Sequence, residues 1–404
     1  MNRKTVGNIL AQTAYIRTAG SPKERQCAEF FRDFCKKQNL QAQLQPFALK
    51  MYEVTEESLQ IDGRQIPCTG YRGAANGTVT GKLFYLTSLD PVALRKCKDK
   101  IVLSDKRLDR NLYDLLADYG AKGVITYSGN AMFADRDIEI RELRFLTGED
   151  KPLPAVNIHV CDAIELVKSR GKTATITLSQ IPYTGHSNNV VLDLPGQSRE
   201  TVVVSAHYDS TDYSNGAYDN MSSCITLLYL AEYFASVPHK RSIRLLWCGA
   251  EERGLLGSLA YCCQQDLKET VLNINLDMLG SAMGEFTAFS CADEPMQTEL
   301  KRFLAKHRYE ASVRYGIRSS DSNSFVYYGI PAVSFARYAP GTTAAIHTRY
   351  DSLDVVDAGT LLRDSKLIAA FTQKIADAPQ LHISISQKIK EEVDAYMERS
   401  GQTK

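Results

Sequence analysis

The sequence predicts an α/β protein built on a largely parallel sheet with helices on both faces. Three observations carry this reading. After Pro182 the chain alternates near-continuous apolar strands with helical runs, the pattern of strands buried on both sides. Its 404 residues exceed what one hydrophobic core usually serves, so a second domain is expected. Acidic and histidine residues stand at or just past the ends of the apolar runs, where an open α/β sheet assembles its sites.

The elements follow in order. Ser21 and Glu24 form a capping-box pattern with Pro22 at the first helical position. Cys27, Phe30, Phe31, Phe34 and Cys35 then make one apolar stripe at helical spacing, so 21–40 contains an amphipathic helix. From about 48 to 180 the texture is short strands between turns: SLQIDG (58–63), GKLFYL (81–86), DKIVLSDK (99–106), KGVITY (122–127), LPAVNI (153–158) and KTATITL (172–178). Helical patterns intervene at 111–119 and 161–170, and the charged stretch 134–144 reads as a loop or flap. Beyond Pro182, strands are expected at 188–194, 201–207, 242–249, 271–277 and 329–336, with helices at about 221–235, 255–265 and 295–307. Ile389, Val393, Tyr396 and Met397 mark a short amphipathic helix near the end. The expected organisation is 1–47 as the N-terminal part of the main domain, 48–180 as an insertion, 181–383 as the main domain and 384–404 as a helical tail.

Composition removes several function classes. With 48 basic against 47 acidic residues, the net charge of +1 gives no electrostatic case for nucleic acid or an anionic membrane as partner. No apolar run is long enough to span a bilayer, and the first residues lack the apolar core and small-residue cleavage site of a secretory signal. The ten cysteines show no CxxC spacing, and reduced, mostly buried thiols are expected. A cytoplasmic protein is the resulting expectation; homo-oligomerisation stays open.

The candidate chemistry lies in five phrases: SAHYDS (205–210), GAYDN (216–220), SIRLLWCGAEERG (242–254), NINLDMLG (273–280) and AIHTRYDSLD (345–354). They present His207, Asp219, the Glu251–Glu252 pair, Asp277 and His347. Imidazole nitrogen and carboxylate oxygen suit zinc and related first-row ions, and the absence of thiolate argues against a structural zinc site. Five ligands exceed the need of one catalytic zinc with an open position, whereas two ions sharing a carboxylate would use them all. Neighbouring side chains diverge at a strand end, so one glutamate can bind metal while the other serves as general base. Asp209, two residues beyond His207, is placed to orient a metal-binding histidine. His159, His186, His239, His307 and His382 lack such contexts and read as structural.

At these phrases the sequence resembles the co-catalytic zinc aminopeptidases, the metallopeptidase family that includes bacterial leucyl aminopeptidases. The matches are HYDS (207–210), DN (219–220), EERGLLGS (251–258), LDM (276–278) and IHTRYD (346–351), with GSPKE (20–24) leading into the first helix. The resemblance implies a mixed, mostly parallel sheet sandwiched by helices. It implies one zinc held by His207 and Asp277, a second by Glu252 and His347, and Asp219 bridging both, with cobalt or manganese as alternatives. Glu251 would be the general base and Asp209 the histidine-orienting carboxylate. The 48–180 segment resembles the protease-associated (PA) domain, a β-rich α/β insertion, through DKIVLSDK, GAKGVITY and LPAVNI followed by AIELVKSRG. The expected activity is removal of the N-terminal residue from a peptide substrate.

The chain departs from the family near the substrate pocket. Ile346 precedes the last histidine where a tyrosine is frequent, and RSSDSNSF (318–325) puts Ser322 at a histidine position. Tyr208, Arg318 and Tyr338 are candidates for oxyanion or pocket roles. A carboxypeptidase or dipeptidase relative would use the same two-metal core but needs an arginine clamp, for which Arg318, Arg337 and Arg349 lie in the right region. A receptor-like scaffold without catalysis is the reading from another class. Such proteins lose ligands, and here all five are present.

Overall fold

The structure is a computed structural model that describes residues 1–144, 152–168, 171–341 and 343–402. The chain divides into two units: Met1–Leu49 with His186–Ala395, and Lys50–Gly185 with the residues from Tyr396 on.

The first unit opens with α1 (Arg3–Thr13), capped by the Asn2 side chain, and α2 (Pro22–Lys37). Ser21 Oγ accepts the Glu24 N–H at 3.1 Å, as the capping pattern predicts. The reciprocal half of the box is missing, because the Glu24 carboxylate is engaged elsewhere. Cys27, Ala28, Phe31 and Cys35 form the fully buried stripe of α2, whereas Phe30 and Phe34 are only partly covered.

The second unit begins within β1 (Ala42–Ile61), followed by β2 (Arg64–Ile66), β3 (Cys68–Gly70), β4 (Gly77–Leu86), α3 (Pro91–Arg95), β5 (Lys100–Ser104), α4 (Arg110–Asp118), β6 (Gly123–Ser128), β7 (Ala155–His159) and α5 (Val160–Lys168). It closes with the start of β8 (Thr173–Leu194). β4, β5, β6 and β7 pair in parallel, with β8 and β3 antiparallel at the two sides. Leu94, Leu112 and Leu116 pack on one face and Ala163 and Leu166 on the other. The last two residues of the helix expected at 161–170 lie outside the described residues. β1 is far longer than the strand read at 58–63. Most of it is exposed or only partly buried, so hydrogen-bond pairing rather than an apolar run defines it. The strands expected at 172–178 and 188–194 are both parts of β8, which stays extended through the polar residues between them. The stretch 134–144 is no free flap: Glu139 accepts from Thr69 and Asn157 and donates its N–H to Ser128, and Ile138 and Leu143 are buried.

The first unit resumes with the rest of β8. Then come β9 (Ser198–His207), an irregular turn at Ala217–Met221, α6 (Ser222–Phe234), β10 (Arg241–Cys248), α7 (Leu256–Gln264), β11 (Thr270–Leu276) and β12 (Glu285–Cys291). α8 (Glu294–Lys306), β13 (Ser312–Tyr315), α9 (Ser322–Tyr327), β14 (Ala332–Tyr338), α10 (Ala358–Asp377) and the part of α11 (Gln387–Arg399) up to Ala395 complete it. Its strand order is β13-β12-β14-β11-β9-β10-β8. β9 pairs in parallel with β10 and β11, as do β11 with β14 and β12 with β13. β8–β10 and β12–β14 are antiparallel, so the sheet is mixed and mostly parallel.

The residues explain the layering. Val202, Val204 and Ala206 face a large core with α2, α6 and α10, while Val203 faces a smaller one with Tyr261, Cys262 and Phe325 of α7 and α9. Both sides of β9 are covered, so its centre, Val202–Val204, is apolar at consecutive positions rather than alternating. α10 was not read from the sequence. It buries Asp364, Ser365 and Thr372 along with its apolar residues, which blurs any stripe. Ile389, Val393 and Met397 of α11 are buried, in line with the expected amphipathic pattern.

Candidate metal centre

The parallel register brings the site together. His207 ends β9 and pairs beside Cys248, the last residue of β10, and Asp277 directly follows β11 on the other flank of β9. Glu251 and Glu252 leave β10 through Gly249 and Ala250. Gly249 is required by crowding, since a Cβ there would stand 2.4 Å from Ser187 Oγ and 2.9 Å from the Glu24 carboxylate. Asp219 sits in the irregular turn, where the Asp219–Asn220 peptide is cis, and His347 lies in the loop after β14. Ala250, Met278 and His347 all have left-handed backbone, with φ of 53°, 61° and 62°. Strain of this kind at non-glycine residues costs about 1–3 kcal/mol each and concentrates where a site is held in a set geometry.

Asp219 is central. One carboxylate oxygen lies 3.2 Å from His207 Nε2 and the other 3.3 Å from His347 Nε2. Around His207 Nε2 stand Asp277 Oδ1 at 3.7 Å and Glu251 Oε2 at 4.0 Å; Glu252 Oε2 is 3.1 Å from His347 Nε2. The donor atoms form three overlapping groups, each within 4.8 Å: His207, Asp219 and Asp277; Asp219, Glu252 and His347; and His207, Glu251 and Glu252. His347 is the open side of the set, its side chain 42% exposed, whereas His207 and Asp277 are buried.

Several groups hold these side chains. Asp209 Oδ1 accepts the Glu251 N–H at 2.9 Å and Oδ2 the Glu252 N–H at 3.1 Å. Its Oδ1 is also 3.5 Å from His207 Nδ1. Asp209 therefore fixes the glutamate pair by backbone bonds as well as facing the histidine. Asp277 Oδ2 accepts from Ser320 at 2.7 Å and pairs with Arg318 at 3.2 Å, which leaves its buried Oδ1 with no hydrogen-bond partner. Asn220 bonds the Leu276 carbonyl and the Met278 N–H, tying the Asp219 turn to the end of β11. Asp351, read from the sequence only as the end of a motif, is fully buried and accepts the N–H groups of Tyr218 and Asp219. Burial pushes the Asp351 carboxyl up to about 6.

The electrostatics show what the set requires. Burial, then Glu252, Asp321 and Asp277, push Glu251 well above the usual carboxylate range against the pull of His207. Burial also raises Glu252. Asp219 is held low in spite of burial by both histidines, and Asp277 is lowered against burial chiefly by Arg318. Burial opposes the charge of His207 and His347, yet the carboxylates carry both well above the ordinary histidine range. Crowded, buried carboxylates aimed at one space, with an orphaned Asp277 oxygen among them, call for cationic charge. The oxygen and imidazole donors fit divalent first-row ions.

The other sequence candidates fall elsewhere. Tyr208 is fully buried, bonds the Asn188 carbonyl and packs edge-on against Phe31, a packing role. Arg337 is committed to the buried Asp364 and to Tyr309, and Arg318 to Asp277, with Tyr338 stacked on Arg318. Neither arginine offers the clamp that a carboxypeptidase needs. His239 bonds two backbone carbonyls and His159 meets Arg136, consistent with structural roles.

A mixed α/β sheet with histidine and carboxylate donors gathered at the carboxyl ends of its parallel strands defines the class, a metal-dependent hydrolase core. Residues 189–372, within the first unit, match Peptidase family M28. The chain is 27% identical over 388 residues to Aminopeptidase YwaD of Bacillus subtilis (strain 168), across 89% of this chain and 81% of that one. A probable leucine aminopeptidase of Arthroderma otae is 31% identical over 228 residues, covering 52% of this chain and 63% of that relative, less than two thirds of its length. Among solved structures, BSAP, a zinc aminopeptidase from Bacillus subtilis, superposes with a TM-score of 0.79 at 25% identity over 96% of this chain and 99% of that one. The aminopeptidase from Aneurinibacillus sp. strain AM-1 shares the fold, with a TM-score of 0.75 at 23% identity over 96% and 97% of the two chains. No helix among the described residues is long and apolar enough to cross a membrane.

Proposed function

We propose that the protein is a zinc-dependent aminopeptidase that removes the N-terminal residue from peptides. The observation that carries this is the Asp219 carboxylate, which turns one oxygen to each of two histidines and belongs to two donor groups at once. In this reading His207 and Asp277 would hold one zinc ion and Glu252 and His347 the other, with Asp219 available to both. Cobalt and manganese suit the same donors. The aminopeptidase names of the relatives support the choice of peptide end.

Bound zinc supplies Lewis-acid chemistry, lowering the pKa of water and polarising the scissile carbonyl. The remaining work falls to side chains of this chain. Glu251 takes the proton of the attacking water and returns it to the leaving amine. Asp209 fixes the Glu251 backbone so that the carboxylate stays aimed at the reacting centre. Ser320 and Arg318 orient Asp277 through its second oxygen. The insertion is proposed as a PA domain, since β5, β6 and β7 carry the phrases that resemble one. Ten cysteines, all free of disulfides, support a reducing, cytoplasmic setting.

The test is digestion of a short peptide set, each peptide with a free and an acetylated amino terminus, by zinc-loaded protein. Stepwise loss of residues from the free forms alone is expected. Glu251→Gln should abolish turnover while both ions stay bound. Cleavage from the carboxyl end, equal cleavage of blocked peptides, or an active Glu251→Gln variant would sink the proposal.

A further inference from the structure

We propose that Arg17 and Glu24 are positioning residues that hold the two ligand-bearing loops of the metal centre from outside the sheet; the inference rests on the functional reading above. Both side chains are buried, at 0% and 1% exposure, and among the described residues neither is in an ion pair. Their partners are instead backbone groups and one hydroxyl, some close in sequence and others in loops 163 to 226 residues away.

Arg17 fills the inside of the loop between His207 and Asp219. Its guanidinium donates to the carbonyls of Tyr208, Asn215 and Gly216, and back to Tyr15. Its own N–H donates to Ser210 Oγ at 3.1 Å, and its carbonyl accepts the Ser210 N–H at 3.3 Å. The loop so held contains Asp209 and ends at Gly216, whose carbonyl also accepts the Met221 N–H across the Asp219 turn. Glu24 acts on the other loop. One of its oxygens accepts the Ala250 N–H at 3.2 Å and the Ser187 hydroxyl at 2.6 Å, and the other accepts the Gly20 N–H at 2.7 Å. Ala250 is the left-handed residue that turns the chain into Glu251.

Docking of α2 does not require these charges. Cys27, Ala28, Phe31 and Cys35 already bury its apolar stripe. A buried guanidinium carries a desolvation cost of several kcal/mol, and a buried carboxyl group is also costly to leave without partners, so retention of the two needs another reason. Arg17 is the donor inside one loop and Glu24 the buried acceptor beneath the other, seven residues apart in sequence. Together they set where Asp209 and the glutamate pair stand. Asp209 in turn bonds both glutamate N–H groups, so the two loops are braced to each other as well as to the N-terminal segment.

The experiment uses the full chain carrying Glu24→Gln or Arg17→Lys. A glutamine cannot accept at both ends of its amide, so the N–H of Gly20 or Ala250 loses its acceptor. A lysine presents a point charge with three donors and cannot reproduce the guanidinium fork. Zinc affinity by chelator competition, kcat and KM, and thermal unfolding are measured together. Each variant should lose about 10–100-fold in zinc affinity and in kcat, the range for residues that orient ligands, with KM little changed and cooperative unfolding well above the assay temperature. Folded variants with wild-type zinc affinity and kcat, or a loss confined to KM, would overturn the proposal. Should either variant fail to fold, Ser187→Ala and Ser210→Ala each remove one bond of the brace and should lower the same two quantities roughly 2–10-fold; no change in both would overturn it equally. Wild-type protein that binds zinc but cleaves no peptide would count against the functional reading, while zinc affinity would still decide the brace.

Discussion

Asp209→Asn isolates how much of the site depends on backbone placement. Each carboxylate oxygen of Asp209 serves one glutamate N–H, at 2.9 and 3.1 Å. The amide can keep only one of these bonds, and its NH2 group then meets the other N–H. One hydrogen bond to a charged acceptor is lost, worth about 1.5–3 kcal/mol, and a buried donor is left unpaired. If that penalty falls on the transition state, kcat drops about 10- to 150-fold, at 1.36 kcal/mol per tenfold. Asp209→Ala leaves both N–H groups unpaired and should lose more. The assay is steady-state cleavage of an aminoacyl p-nitroanilide at saturating zinc, with metal content measured on the same samples. Retention of activity within about twofold in Asp209→Asn, or a change in KM alone, would refute the argument that this carboxylate positions the base.

Three further outcomes follow from the same geometry. Chelation should abolish cleavage and lower the thermal midpoint, because Asp219, Glu251, Glu252 and Asp277 are then left crowded; zinc at 100 times its Kd should restore about 2.7 kcal/mol per site, and an unmoved midpoint would speak against a metal centre. Phe31 stacks on Trp247 at 5.4 Å and meets Tyr208 edge-on, so Phe31→Ala should cost about 3–5 kcal/mol in denaturant unfolding, and a loss below about 1 kcal/mol would contradict the packing. Burial, with Asp209 nearby, pushes Glu24 up to about 8 from its usual 4.5. Between those values the folded state holds a proton that the unfolded chain has released, so this group makes metal-free protein lose stability as pH rises. Glu24→Gln should flatten that slope, and parallel pH curves for variant and wild type would exclude the effect.

Much of the site was legible because its signals are local. A histidine or carboxylate at the end of an apolar strand is visible in a few residues, and parallel pairing places such ends side by side. His207 and Asp277 illustrate this, flanking one another through β9 and β11. Asp351, Ser320, Arg17 and Glu24 were not legible as site residues. Each acts through backbone groups or through a second carboxylate, and nothing in its own surroundings in the sequence marks the distant partner. Glu24 even carried a misleading local signal: its spacing from Ser21 suggested a capping box, whereas its carboxylate reaches Ala250.

The sequence by itself determined the α/β class, the alternation of strands and helices in the main unit, and the choice of candidate donor residues. Those depend on hydrophobic periodicity and side-chain chemistry, which are properties of short segments. The tertiary structure alone decided that β12 and β14 run antiparallel within a mostly parallel sheet, and that α10 buries polar residues. It also decided that Arg318 and Arg337 are already committed to carboxylates, and that buried polar side chains of the N-terminal segment bond the ligand loops. These outcomes depend on which distant groups must satisfy one another once water is excluded, a condition met only after the chain has folded.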